Sequence, residues 1–126
     1  MNEIRNTRKF DLEARTLLFA KDVILFADSL PKTMPNIEIS RQVIRAADSV
    51  GANYIEANES LGKKGFLMKI RISRKEAKES RYRLQLVVCN CPAKTMHERL
   101  SQEATELTKI FAAVLRNSMN ADGLRS

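Results

Sequence analysis

Apolar positions along the chain recur at alternating spacings of four and three, the period that lays one side of an α-helix against a core. Asp11 is expected to cap a first helix that runs to about Leu30, with Leu12, Phe19, Val23, Phe26 and Leu30 inward and Pro31 and Pro35 breaking it. Asn36 then caps a second helix from about Ile37 to Ser60, its core side formed by Ile39, Val43, Ala46, Val50, Ala57 and Leu61. Gly62 and Gly65 mark the turn into a third, whose inward stripe is Phe66, Ile70, Ser73, Ala77, Ser80, Leu84 and Val88 and whose end falls near Cys89 and Cys91, before Pro92. Thr95 and Glu98 have the spacing of a capping box and open a fourth helix. Leu100, Ala104, Leu107, Phe111 and Val114 line its core, and Asn120 and Gly123 mark its end. No segment carries a convincing strand pattern.

Long helices joined by short turns predict an all-α protein, an antiparallel up-down-up-down four-helix bundle, because short loops force neighbours to reverse direction. A chain of 126 residues suits a single domain, with short flexible ends at about residues 1–10 and 120–126. Four glycines and three prolines are too few for a chain of many turns. The longest apolar run, Leu17 to Ala27, is interrupted by Lys21 and Asp22, so no membrane span is expected. Met1 to Phe10 is polar and has no signal-peptide pattern, which makes a cytoplasmic protein with reduced thiols the expectation. The first helix has more apolar surface than its stripe can bury. Leu17, Leu18, Ile24 and Leu25 lie outside that stripe, and a homo-oligomer that covers them is the expected remedy.

Charge singles out the third helix. Between Lys63 and Arg83 stand nine Lys or Arg residues against Glu76 and Glu79, and this local excess equals the net charge of +7 of the whole chain. The remainder is balanced, so the positive charge belongs to one element and points to a polyanion such as RNA. On a helical wheel Lys64, Arg71, Lys75, Lys78 and Tyr82 gather opposite the core stripe, with Arg74 and Arg81 along one shoulder. These seven are the candidate nucleic-acid-binding residues. The cations would neutralise phosphates and Tyr82 would stack on a base. The competing reading is an ordinary solvated helix face.

A polar row, Gln42, Ser49, Asn53, Glu56 and Ser60, runs beside the core stripe of the second helix. Ser49, Asn53 and Glu56 are expected to form a structural network between helices, with a basic residue of the third helix pairing with Glu56. Ser49, Gly51 and Ala52 permit close approach of another helix. Cys89, Cys91 and His97 supply three potential ligands where a structural zinc site needs four, so no metal is expected. The Glu-x-x-Glu pairs at Glu56, Glu76 and Glu103 lack the histidines of di-iron bundles, and no phosphate loop or nucleophile elbow is present. His97 reads as a surface residue. Neither a cofactor nor an enzymatic activity is expected.

The stretch from Ser49 through Val50, Gly51, Ala52, Asn53, Tyr54, Ile55 and Glu56 to Ala57, followed by Ser60, Lys63-Lys64-Gly65-Phe66 and Lys75-Glu76-Ala77-Lys78-Glu79, resembles a known family. Leu30-Pro31-Lys32, Tyr82 and Leu84 add to the likeness, which runs from about Phe10 to Val88 and is weak after Cys89. The chain is similar to the 23S ribosomal RNA intervening-sequence proteins, also called bacterial four-helix bundle proteins. That resemblance implies a four-helix bundle assembled as a pentameric ring with affinity for nucleic acid. It does not imply an enzyme. Departures from the family pattern add charge: Gly65 stands where an acid is common, and Arg71, Arg74, Arg81 and Arg83 replace small, apolar, acidic or aromatic residues. The leading expectation is therefore a nonenzymatic oligomeric RNA-binding protein whose partner is RNA, ribosomal RNA included, or another nucleic acid. The alternative is an oligomeric scaffold that docks an acidic or nucleic-acid-processing protein without binding RNA itself.

Overall fold

The computed structural model describes residues 2–88 and 93–121, with side chains described between residues 12 and 120 of these. Among the described residues four helices make up the fold: α1 (Asn2–Ser29), α2 (Met34–Asn58), α3 (Lys63–Leu86) and α4 (Lys94–Ala121). No strand occurs among the described residues. Each helix packs on its neighbours in sequence and α1 meets α4, while among the described residues the backbones of α1 and α3 lie across a diagonal and do not approach closely. This is the ring order of an up-down-up-down bundle, closed most sparsely between α1 and α4.

The helix ends differ from the sequence expectation in instructive ways. α1 begins at Asn2, so Asp11 lies inside it and is not its cap; nothing from Asn2 to Phe10 is a Gly or Pro that would stop a helix. Thr33, not Asn36, caps α2. Its hydroxyl accepts from the backbone N–H of Asn36 at 3.3 Å, and the Asn36 amide turns back to donate to the Pro31 carbonyl at 3.1 Å. Pro35 does not break a helix but sits in the first turn of α2, where its missing N–H costs nothing. Gly62 holds the cap position of α3 in an extended conformation, and Gly65 is already helical. α3 stops at Leu86, short of Pro92, and α4 starts at Lys94, which places Thr95 inside the helix. The Ala93 carbonyl, instead, accepts the first bond of α4, from the His97 N–H at 2.9 Å.

Phe19, Val23, Phe26 and Leu30 of α1 meet Val43, Val50 and Ala57 of α2, Ile70, Ala77 and Leu84 of α3, and Leu100, Leu107 and Phe111 of α4 in one core. Leu12, Ile39, Phe66 and Val114 are partly buried against its edge. Two expected core positions are wrong. Leu61 is fully exposed and Val88 nearly so, because both stand beyond the ends of their helices, where the helical period no longer places a side chain inward. A buried hydroxyl bridges the α2–α3 contact, and a second is satisfied within α3. Ser73 donates across it to the Val50 carbonyl at 2.9 Å, and Ser80 donates to the Glu76 carbonyl at 2.8 Å within α3.

Candidate nucleic-acid interface

α3 is positioned by its inward stripe, and that stripe fixes which side chains face water. With Ile70, Ser73, Ala77, Ser80 and Leu84 buried, Lys64, Arg71, Arg74, Lys75, Lys78, Arg81 and Tyr82 are all exposed on the outer side of one helix. At 1.5 Å per residue the cations from Lys64 to Arg81 extend over about 25 Å of helix. Among the described residues, Lys64, Arg71, Arg74, Lys78 and Arg81 form no salt bridge. Lys75 has only a long contact to Glu76, 3.9 Å, and its side chain stays 69% exposed. The positive charge of this face is thus not consumed within the bundle.

The edge of α3 that faces α2 is different: its charges are paired. Lys69 meets Glu56 at 2.7 Å, and Arg45 of α2 reaches Glu76 at 3.7 Å and Glu79 at 3.6 Å. Glu76 is buried, and one of its carboxylate oxygens accepts no hydrogen bond. Burial, reinforced by the neighbouring Glu79 carboxylate, pushes the Glu76 carboxyl above its ordinary value against the opposing pull of Arg45 and Lys75. Arg83 lies with its guanidinium carbon 5.4 Å from the centre of the Tyr82 ring.

The polar row of α2 makes its hydrogen bonds mostly inside that helix. Asn53 donates to the Ser49 carbonyl at 2.9 Å, Ser60 to the Glu56 carbonyl at 3.1 Å and Gln42 to the Glu38 carboxylate at 3.0 Å. Its bridge to a neighbouring helix is the Glu56–Lys69 pair. An interhelical hydrogen bond of this seam comes from Ser73, a position whose place on the inward stripe predicts only a small core residue.

Leu17, Leu18, Ile24 and Leu25 of α1 are each about half exposed or more. Leu17 borders an apolar groove of about 410 Å³ between α1 and α2, with Ala20, Gly51, Ala52 and Ile55. Ile24 and Leu25 border a second, of about 470 Å³, with Leu30, Ile37 and Ile44. Leu18 turns toward the α4 side, where Arg15 pairs with Glu103 through two bonds of 2.6 and 2.9 Å and Arg99 meets Asp22 at 3.2 Å.

His97 is half-buried, not a freely solvated surface residue. Its ring stacks on Phe26, with centres 5.5 Å apart, and its Nε2 lies 2.6 Å from the Leu84 carbonyl oxygen, so it ties the start of α4 to α1 and to the end of α3. Cys89 and Cys91 fall outside the described residues. Among the described residues no cluster of three or more His, Cys, Asp and Glu side chains is placed to hold a metal ion, and no helix is long and apolar enough to cross a membrane.

The 23S rRNA-intervening sequence protein family model matches residues 8–113. The chain belongs to that family. The match reaches well into α4, beyond the point near Cys89 where the visible motifs fade, since α4 contributes core apolar positions and not a polar signature. The fold is also similar to a crystal structure of a protein of unknown function from the S23 ribosomal protein family of Bacteroides thetaiotaomicron. The TM-score is 0.75 at 24% identity, over 86% of this chain and 97% of that one. No curated protein matches the sequence.

Proposed function

We propose that this member of the intervening-sequence family is a nonenzymatic RNA-binding protein that works as a homo-oligomer, with the outer face of α3 as its RNA-contacting surface. The observation that carries the reading is the unpaired cation face. Five Lys and Arg side chains on one side of one helix have no acidic partner among the described residues, while cations on the α2-facing edge of that helix are paired. Such a face gains most from phosphates, which release counterions as they are neutralised. It supplies phosphate contacts and no sequence code, which suits recognition of RNA by backbone and shape.

Assembly is the second half of the reading. Leu17, Leu18, Ile24 and Leu25 present paired apolar rows that another copy would cover, and a pentameric ring is the assembly that the family likeness implies. Because α1 lies diagonally across the bundle from α3, copies can meet through α1 and leave α3 open to solvent. Copies joined in this way would multiply the cation face, and linked sites bind a polyanion far more tightly than one site alone.

The test is the native mass of the purified protein with and without nuclease. The expected result is a multiple of the chain mass carrying nucleic acid that nuclease removes. A monomer, or an assembly free of nucleic acid at low salt, would overturn the corresponding half of the proposal; in the second case a scaffold for an acidic protein becomes the better account.

A further inference from the structure

The outer face of α3 is not purely cationic. Met68, Tyr82 and Leu86 are exposed on it, at 52%, 56% and 43%. Met68 and Tyr82 lie seven residues either side of Lys75, and Leu86 lies one turn beyond Tyr82, so the three share a strip that runs beside Lys64, Arg71 and Lys78. The Arg83 guanidinium carbon lies 5.4 Å from the centre of the Tyr82 ring, so a cation stands beside the ring.

A face made for a double helix needs none of this. Duplex RNA turns phosphates and sugars outward, keeps its base faces stacked inside, and has a major groove too deep and narrow for side chains to read. Phosphates laid against Met68 and Leu86 would lose hydration for no return. An unpaired strand presents both phosphates and base faces, and a base face stacked on an aromatic ring beside cations is the recurring solution for single-stranded binding.

We infer that the outer face of α3 takes unpaired RNA in preference to duplex, with Tyr82 as a stacking platform for a base, extended by Leu86, with Met68 as a separate apolar contact about 21 Å along the helix, and with the flanking Lys and Arg on the phosphates. This rests on the RNA-binding reading above and narrows it to one strand state.

The experiment is an anisotropy titration of the full chain with two probes: a uridine-rich single-stranded RNA of about twenty nucleotides and a blunt RNA duplex of similar length. The wild type is expected to bind the single strand more tightly. Tyr82→Ala should weaken single-strand binding about tenfold and leave duplex binding within about twofold, while Tyr82→Phe, which keeps the ring, retains the wild-type preference. Equal affinity for the two probes, or a Tyr82→Ala loss that is the same for both, would overturn the inference but leave RNA binding intact. If neither probe binds at low salt, the RNA-binding reading itself fails, and the inference with it. Tyr82→Ala is also expected to keep the native mass. Dissociation of the assembly in that variant would show that the strip is covered by protein and would overturn the inference.

Discussion

Thr16 of α1 lies directly against Gly51 of α2: a Cβ at position 51 would stand 3.0 Å from the Thr16 hydroxyl oxygen and 3.2 Å from its Cβ. The Thr16 hydroxyl donates to the Glu13 carbonyl at 2.9 Å, so its side chain cannot turn aside without giving up that bond. The absent side chain at Gly51 sets the α1–α2 separation and with it the angle at which the exposed apolar rows of α1 are carried.

Replacing Gly51 by a large residue should therefore separate the helices. Gly51→Leu gains helix propensity of about 1 kcal/mol but overpacks the contact with Thr16, and overpacking costs about 1–3 kcal/mol. The expected net outcome in urea denaturation is a lower midpoint with an unchanged slope. The loss should shrink in a Thr16→Ala background, since that change removes the hydroxyl, the nearer of the two atoms in conflict, and leaves only the Cβ. An undiminished midpoint in Gly51→Leu alone would mean that the two helices are free to slide apart.

Glu76 gives a pH dependence of unusual sign. Its carboxyl is buried and faces Glu79 and Lys75 on its own helix and Arg45 from α2, and the first two influences in size, burial and Glu79, raise its pKa from the ordinary 4.5. The native state then holds a proton that the unfolded chain releases, so the group's stabilising contribution is present below 4.5 and is lost as pH rises through the raised value. Glu76→Gln removes this dependence. The stability of the wild type relative to Glu76→Gln should fall as pH is raised from about 4 to about 7, measured by parallel urea titrations at each pH. A difference that grows with pH would show that Arg45 dominates and that the carboxylate is held charged.

The bundle was legible in the sequence because a helix that buries one stripe must repeat apolar residues at its own period, and Phe19, Val23, Phe26, Ala104 and Phe111 all obey it. The period says less about where a helix stops. Leu61 and Val88 continue it past the last turn and are exposed, and Asn36, the expected cap of α2, lies inside that helix because Pro35 fits its first turn and Thr33 caps it. Exposure of the α3 cations was legible for the same reason as the core, being its complement. The pairing across seams was not. Arg45 with Glu76 and Glu79, Ser73 with Val50, and His97 with Phe26 and Leu84 depend on how two helices are rotated and shifted against each other, which a single helical wheel does not contain.

The salt dependence of RNA binding measures how much of the α3 face is used. If the cations without a salt bridge, Lys64, Arg71, Arg74, Lys78 and Arg81, each neutralise one phosphate, the logarithm of affinity should fall against the logarithm of salt with a slope of about −3.5 for a single strand and about −4.5 for a duplex. Changing Arg71, Lys75 and Lys78 together to Glu removes part of that set and adds repulsion. RNA retention should then be lost, while helicity by circular dichroism and the native mass stay as in the wild type, because none of the three side chains is buried in the bundle. Binding that survives in the triple variant with its slope intact would place the RNA contact elsewhere on the molecule. Loss of helicity would mean instead that the face is needed for folding.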